Sequence, residues 1–393
     1  MDAGRGRRVA VTGLGVVGAC GIGREAFWAG LLAPQSEGER RIHDFDPAAS
    51  FDNPKEARRT DRFTQFAYAA ASEALAQSAM PSVDPDRVGV LLGTGIGGIT
   101  TTEEQIIVGH EKGARRVSPF LIPMMMANAA PAALSMRYGF RGPCETTVTA
   151  CAAATHAIGN AARLISSGRC DAMLTGGSEA AMVATAVAGF TNMTALSTSG
   201  VSRPFDAARD GFVMTEGAGI LVLEEWSAAE ARGARILGEI VGAASTADAH
   251  HITAPSPGGA GAVSCIEIAL ADAGLSPGDI AHVNAHGTST PLNDAAEAEA
   301  LAKVFAGSGP IVTSTKGVTG HALGAAGALE AAAVLLSFEH ELVPPTAGTD
   351  VLDPALPAID LVVGAPRSWT PGPSLSNSFG FGGHNGVLVL APA

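Results

Sequence analysis

Short apolar runs separated by helix-patterned segments recur along the whole chain, and this alternation constrains the fold more than any other feature. RVAVTGLGVV, RVGVLLGTG, TTVTA, DAMLTGG and GILVLEE are followed later by ARILGEIVGAAS, AHVNAHG, PIVTSTK and HNGVLVLAP. Each holds a core of strand length. Between them lie TQFAYAAASEALAQS, AIGNAARLISSG, GAVSCIEIALADAG and DAAEAEALAKVFAG, which carry helical periodicity. The pattern predicts a layered α/β architecture whose sheets are buried on both faces. Single cores stop growing at roughly 250–300 residues. A chain of 393 residues is therefore expected to form two closely packed halves, residues 1–240 and 241–393.

The formal net charge of −13 argues against a general affinity for nucleic acid, which requires clustered Lys and Arg. Basic residues gather only locally, at Lys55, Arg58, Arg59 and Arg62 and again at Lys112, Arg115 and Arg116. The five cysteines are Cys20, Cys144, Cys151, Cys170 and Cys265, an odd set with no CxxC spacing. They imply neither a disulfide framework nor a zinc site and fit a reducing cytosol. The opening MDAGRGRRVAVTGLGVVGACG imitates a signal peptide, but its glycines and the patterned sequence after it read as a first buried strand. No run reaches the roughly 18 apolar residues of a membrane span.

Gly13-Leu14-Gly15-Val16-Val17-Gly18 spells GxGxxG after a strand, the usual signature of dinucleotide binding. That fingerprint needs a helix opening directly on the glycines and an acid about 20 residues on, at the end of a second strand. Here the helix is expected only near Arg24, and the acids around Glu37 stand in polar sequence. Close backbone packing is the better role for these glycines.

Cys151 stands where the strand TTVTA gives way to the helix AAATHAIGNAARLI. A strand-to-helix turn aims such a side chain at a pocket, and a helix N-terminus lowers a thiol pKa. Two distant histidines accompany it. His286 follows the strand AHVNA, and His321 is expected at the start of the helix ALGAAGALEAAAVLL, where its charged form is disfavoured. A nucleophile with two neutral imidazoles is a catalytic constellation.

Five blocks surround these residues: TACAAATHAIGNA, SRPFDAARDGFVMTEGAGILVLEE, VNAHGTSTPLNDAAEAEA, STKGVTGHALGAAGALEA and SNSFGFGGHNGVLVL. In this order they resemble the β-ketoacyl-acyl carrier protein synthases of the elongating, type II-like branch. The resemblance implies the thiolase-like α-β-α-β-α fold built from two pseudo-duplicated halves. It implies acylation of Cys151 from acyl carrier protein, then decarboxylative condensation with a malonyl thioester. His286 and His321 would stabilise the enolate. The backbone N–H groups of Cys151 and Phe381 would form the oxyanion hole, with Phe379 and Phe381 near the acyl pocket. Lys316 would pair with Glu297 and orient the histidines, while Thr288 and Thr290 would bind the pantetheine arm. Gly97, Gly98, Ile99 and Met124–Met126 are candidates for lining an apolar acyl tunnel, although a run of methionines is more often core. No metal and no resident cofactor are implied, because phosphopantetheine arrives on the carrier. The resemblance further implies a cytoplasmic homodimer, or a heterodimer with a chain-length factor if the chain serves a polyketide system.

Three places depart from the family pattern. LSTSGVSRPF is short, Thr215 replaces a glycine, and His384 replaces a threonine and is expected to pack as a core histidine. No cysteine follows Cys265, against a thiolase, and the presence of Cys151 argues against a chain-length factor.

Overall fold

In the computed structural model, which describes residues 6–34, 38, 40–51, 53–80, 83–306 and 309–393, one strand plan is used twice. The first half supplies β1 (Val9–Gly18), β2 (Val88–Gly93), β3 (Cys144–Thr147), β4 (Ala172–Glu179) and β5 (Gly217–Glu225). The second supplies β6 (Gly238–Ala247), β7 (His282–Asn284), β8 (Ile311–Thr313), β9 (Ser374–Gly380) and β10 (His384–Ala391). The spatial orders are β3-β2-β4-β5-β1 and β8-β7-β9-β10-β6. Along each path two parallel pairings are followed by two antiparallel ones. The two paths join where Ala10 and Val11 of β1 pair with Glu239 and Gly238 of β6.

Helices α2 (Ala153–Ser166) and α5 (Ala326–His340) fill the layer between the two half-sheets. Every residue of α5 from Ala326 to Phe338 is buried, as an almost wholly apolar helix requires, and Glu330 is the one acid in that span. On the outer faces, α1 (Arg62–Ser78) covers the first half-sheet. The second is covered by α3 (Ala260–Ala273) and α4 (Pro291–Val304). The expected α-β-α-β-α layering is thus observed. The Gly109–Ala130 stretch is largely helical, with Leu121–Met125 as one short helix within it.

All three glycines of the GxGxxG run lie inside β1, and the next helix begins at Arg24. A Cβ on Gly13 would stand 2.1 Å from the Ala74 carbonyl oxygen, and one on Gly15 would stand 1.9 Å from that of Ala70. These glycines let α1 lie directly on the strand, as the packing reading expects. Glu37 lies outside the described residues.

Candidate active site

The chain leaves β3 at Thr147 and turns at Ala150, whose φ of 50° falls in the left-handed region. That conformation costs a non-glycine residue roughly 1–2 kcal/mol. A short turn, Ala150–Ala152, then feeds α2 and places Cys151 at the elbow with only 7% of its surface exposed. In the second half, parallel neighbours β7 and β8 end side by side. The segments following them carry His286, Lys316 and His321 toward the same point. Carboxyl ends of parallel strands are where open α/β sheets assemble sites.

Nε2 of His321 lies 3.1 Å from Sγ of Cys151. The two imidazole rings stand 5.3 Å apart between centroids at 84°, edge to face. Backbone bonds hold His321 on both sides, since its N–H donates to Val213 O at 2.7 Å and its carbonyl accepts from Thr215 N at 3.1 Å. The Thr215 hydroxyl in turn donates to the Arg40 carbonyl at 2.6 Å, which gives this departure from the family pattern a structural place. His321 stands five positions before α5, behind an intervening turn at Leu323–Ala325. Its position at a helix start, expected from sequence, is therefore corrected.

The partner of Lys316 is corrected as well. Its ammonium forms a buried ion pair with Glu330 of α5 and donates to the His286 carbonyl at 2.6 Å. It also lies 3.3 Å from Nδ1 of His286. Glu297, on α4, instead accepts from the backbone N–H groups of His286 at 2.8 Å and Gly287 at 2.7 Å, and from the Asn377 amide at 3.2 Å. Glu297 shapes the backbone of the His286 loop, whereas Lys316 contacts its ring. Because an ammonium only donates, Nδ1 of His286 accepts and Nε2 carries the ring proton.

Burial governs the titration of the whole site. It holds His286 and His321 well below the usual histidine range, with the Lys316 charge as the next cause for both. Both are neutral. Burial likewise pushes the Cys151 thiol up to about 11, against the lowering effects of Lys316 and the Phe381 N–H. The sequence expectation of a thiol acidified by a helix start is thus reversed in this structure. Glu330 and Glu297 are each raised to about 7 by burial. The ligand atoms of Cys151, His286 and His321 lie within 4.8 Å of one another, a soft donor set that a zinc ion could use. The Lys316 ammonium opposes any cation placed there.

A cavity of about 420 Å³ opens onto this trio. Ile96, Phe190, Met193, Phe212 and Leu323 supply its apolar wall. Thr288, Thr290, Phe379 and Phe381 also line it, and Thr288 and Thr290 share a hydroxyl hydrogen bond of 2.9 Å. Gly97 and Ile99 do not. The lining positions are Gly95 and Ile96, while Ile99 packs in the apolar cluster behind Phe212. Met124, Met125 and Met126 are also absent from the lining, with Met126 45% exposed on the surface. His384 is half-buried at the hairpin between β9 and β10, not packed in the core.

Two acids that sequence reasoning missed hold the site together. Glu330 pairs with Lys316, and Glu179 accepts from Gly95 N at 2.6 Å and Gly324 N at 3.0 Å, tying the cavity wall to the segment after His321. A lone carboxylate in the otherwise apolar run ALEAAAV, or at the end of a buried strand, was the available signal, because an acid is rarely buried unless it is paired.

Two family models match the chain: β-ketoacyl synthase, N-terminal domain, over residues 33–229, and β-ketoacyl synthase, C-terminal domain, over residues 237–350. The chain belongs to the β-ketoacyl synthase family. This β-ketoacyl synthase is 45% identical to a 3-oxoacyl-[acyl-carrier-protein] synthase 2 of Synechocystis, with 98% of each chain covered. It is 42% identical to one from Staphylococcus aureus, again over 98% of each. Among solved structures it superimposes on a chain of the ishigamide ketosynthase/chain length factor with TM-score 0.92, at 32% identity, covering 99% of this chain and 100% of that one. A β-ketoacyl synthase from Burkholderia phymatum gives TM-score 0.91 at 33% identity, covering 98% and 100%. A type II polyketide ketosynthase solved with its acyl-carrier protein gives 0.91 at 31%, covering 99% and 100%.

Proposed function

We propose that this chain is an acyltransferase that condenses an acyl group held on Cys151 with malonyl-acyl carrier protein, giving a 3-oxoacyl-acyl carrier protein in fatty acid elongation. The observation that carries this reading is the 3.1 Å contact of Sγ of Cys151 with Nε2 of His321, with neutral His286 beside it at one cavity. In the first step the Cys151 sulfur attacks the carrier thioester, the carrier thiol leaves with the proton, and the oxyanion is received by the N–H groups of Cys151 and Phe381. In the second, the malonyl thioester loses CO₂ and its enolate oxygen takes hydrogen bonds from Nε2 of His286 and of His321. The carbanion attacks the acyl carbon, and the Cys151 thiolate leaves. Neutral imidazoles suit this role because they donate to a developing anion without first forming a salt with the thiol. The phosphopantetheine arm runs past Thr288 and Thr290, and no resident cofactor is needed.

Intact-mass analysis after incubation with acyl-acyl carrier proteins of graded length tests this directly. An acyl adduct on the parent protein, absent in Cys151→Ala, is expected, and malonyl-acyl carrier protein should discharge it as 3-oxoacyl product. An adduct that survives in Cys151→Ala would end the proposal.

A ketosynthase working with a chain-length factor is the second reading, favoured by the ishigamide and type II polyketide neighbours at 31–32% identity. The curated relatives at 42–45% weigh for elongation. We infer a homodimer paired along β3, a sheet-edge strand whose first two residues are exposed, beside the exposed apolar side chains Val148 and Met136. Native mass spectrometry of the same samples reads twice the chain mass if this holds. Carrier docking is assigned to Lys55, Arg58, Arg59, Lys112, Arg115 and Arg116, all exposed. Arg59 stacks over the Phe120 ring at 4.9 Å, which links the two basic segments into one surface. Arg62 is dropped from that surface because it is committed to buried Glu216. Charge reversal at Arg115 and Arg116 should slow carrier-borne substrates and spare small thioesters. No described helix is long and apolar enough to cross a membrane. We infer a cytoplasmic site of action from the five free cysteines, which suit a reducing compartment.

A further inference from the structure

His156 is a buried imidazole that the reaction above leaves unused. It stands on α2, five positions beyond Cys151, and its ring joins two segments far apart in the chain. Nδ1 lies 2.8 Å from the Thr149 hydroxyl, and Nε2 lies 2.9 Å from the Asn385 carbonyl oxygen. A carbonyl only accepts, so Nε2 carries the proton and Nδ1 accepts from Thr149.

Both ends of this bridge lead to the oxyanion-binding amides. Thr149 immediately precedes Ala150, the left-handed residue that sets the direction of the Cys151 amide. Asn385 pairs across the hairpin with Phe379, at the base of the turn that presents the Phe381 N–H to the Cys151 sulfur. The fit around the ring is close, since a Cβ on Gly386 would stand 2.9 Å from its Cδ2. The preceding residue adds a second tie to the same hairpin, through Thr155 Oγ1 and Ser378 Oγ at 2.7 Å.

We propose that His156 is a positioning residue for acyl transfer, a strut that holds the amides of Cys151 and Phe381 at the spacing required to receive the thioester oxyanion. The proposal rests on the reading that Cys151 is acylated from a carrier thioester. It predicts a separation between two reactions of the same sulfur. Transfer from acyl-acyl carrier protein develops an oxyanion; alkylation by iodoacetamide displaces iodide and develops none.

Deleting an oxyanion donor costs about 10²–10³ in rate, so displacing the pair in His156→Leu is expected to slow acylation about tenfold or more. The loss should fall on kcat, with KM for the carrier changed by less than about twofold and alkylation by less than about threefold. The His156→Gln amide offers a donor and an acceptor at similar spacing and should return acylation to within about threefold of the parent. Parallel loss of both reactions, unchanged acylation in His156→Leu, or a Gln variant no better than Leu would each overturn the strut. A parent protein that takes no acyl group at all would instead overturn the underlying reading, and the strut with it.

Discussion

The connection from β3 to α2 and the connection from β8 to α5 occupy the same place in the two halves, yet they do opposite chemical work. In the first half, residues 148–152 make a tight elbow with one left-handed alanine and deliver the sulfur. In the second, residues 314–325 wander through a helical turn at Lys316–Thr319 and deliver an ammonium and an imidazole. The shared strand plan brings both loops to one point, and the loop content alone decides which becomes the nucleophile and which the electrostatic partner. A duplicated scaffold can thus divide one reaction between its copies.

The sharpest way to break this division is to remove the charge that the second connection contributes. Lys316→Met leaves Glu330 buried without its partner, and unpairing a buried ion pair costs roughly 3–5 kcal/mol. Thermal denaturation should report that loss, together with near-complete loss of condensation. Lys316→Met/Glu330→Leu should recover most of the stability and none of the activity. Recovered activity in the double variant would show that the second connection only fills space.

A smaller effect follows from the thiol itself. Its ionised form is the nucleophile, and burial raises its pKa to about 11. The alkylation rate of Cys151 should therefore climb about tenfold per pH unit between pH 7 and 9, without a plateau in that range. Removing the Lys316 charge, which favours the thiolate, should shift the profile to still higher pH. A plateau near neutral pH would mean that the elbow acidifies the sulfur without help from the second half.

The narrowest effect, confined to the choice of acyl chain, concerns the loop after β2, the first-half counterpart of the His286 segment. Ile96 lines the cavity, whereas Ile99 packs behind it. Ile96→Phe should discriminate against the longest acyl chains by about 10–200-fold, the range that small size changes in an apolar pocket produce. Ile99→Ala should leave the order of chain preference unchanged. Matching shifts in the adduct ladder for both variants would remove the distinction.

Much of the site was legible in the sequence. Cys151, His286 and His321 each follow a recognisable strand, and the carboxyl ends of strands are where such sheets gather functional side chains. The packing role of Gly13 and Gly15 was also readable, because no helix follows them directly. The acyl wall was misplaced by a few residues, since glycine-rich runs carry no periodicity to say which side chain faces inward. Gly98 and Ile99 belong to the start of a helix that turns away from the cavity.

The sequence by itself determined the alternation of strands and helices, the need for sheets buried on both faces, and the kinds of side chain offered to the chemistry. These depend on local pattern and on the simple demand that apolar surface be buried. Only the tertiary structure decided that Lys316 meets Glu330 and not Glu297, that His156 bridges to Asn385, and that the thiol rests protonated between neutral rings. Such partnerships join residues as many as 229 positions apart. Sheet register and helix packing fix those distances, and the resulting exclusion of water sets the protonation states.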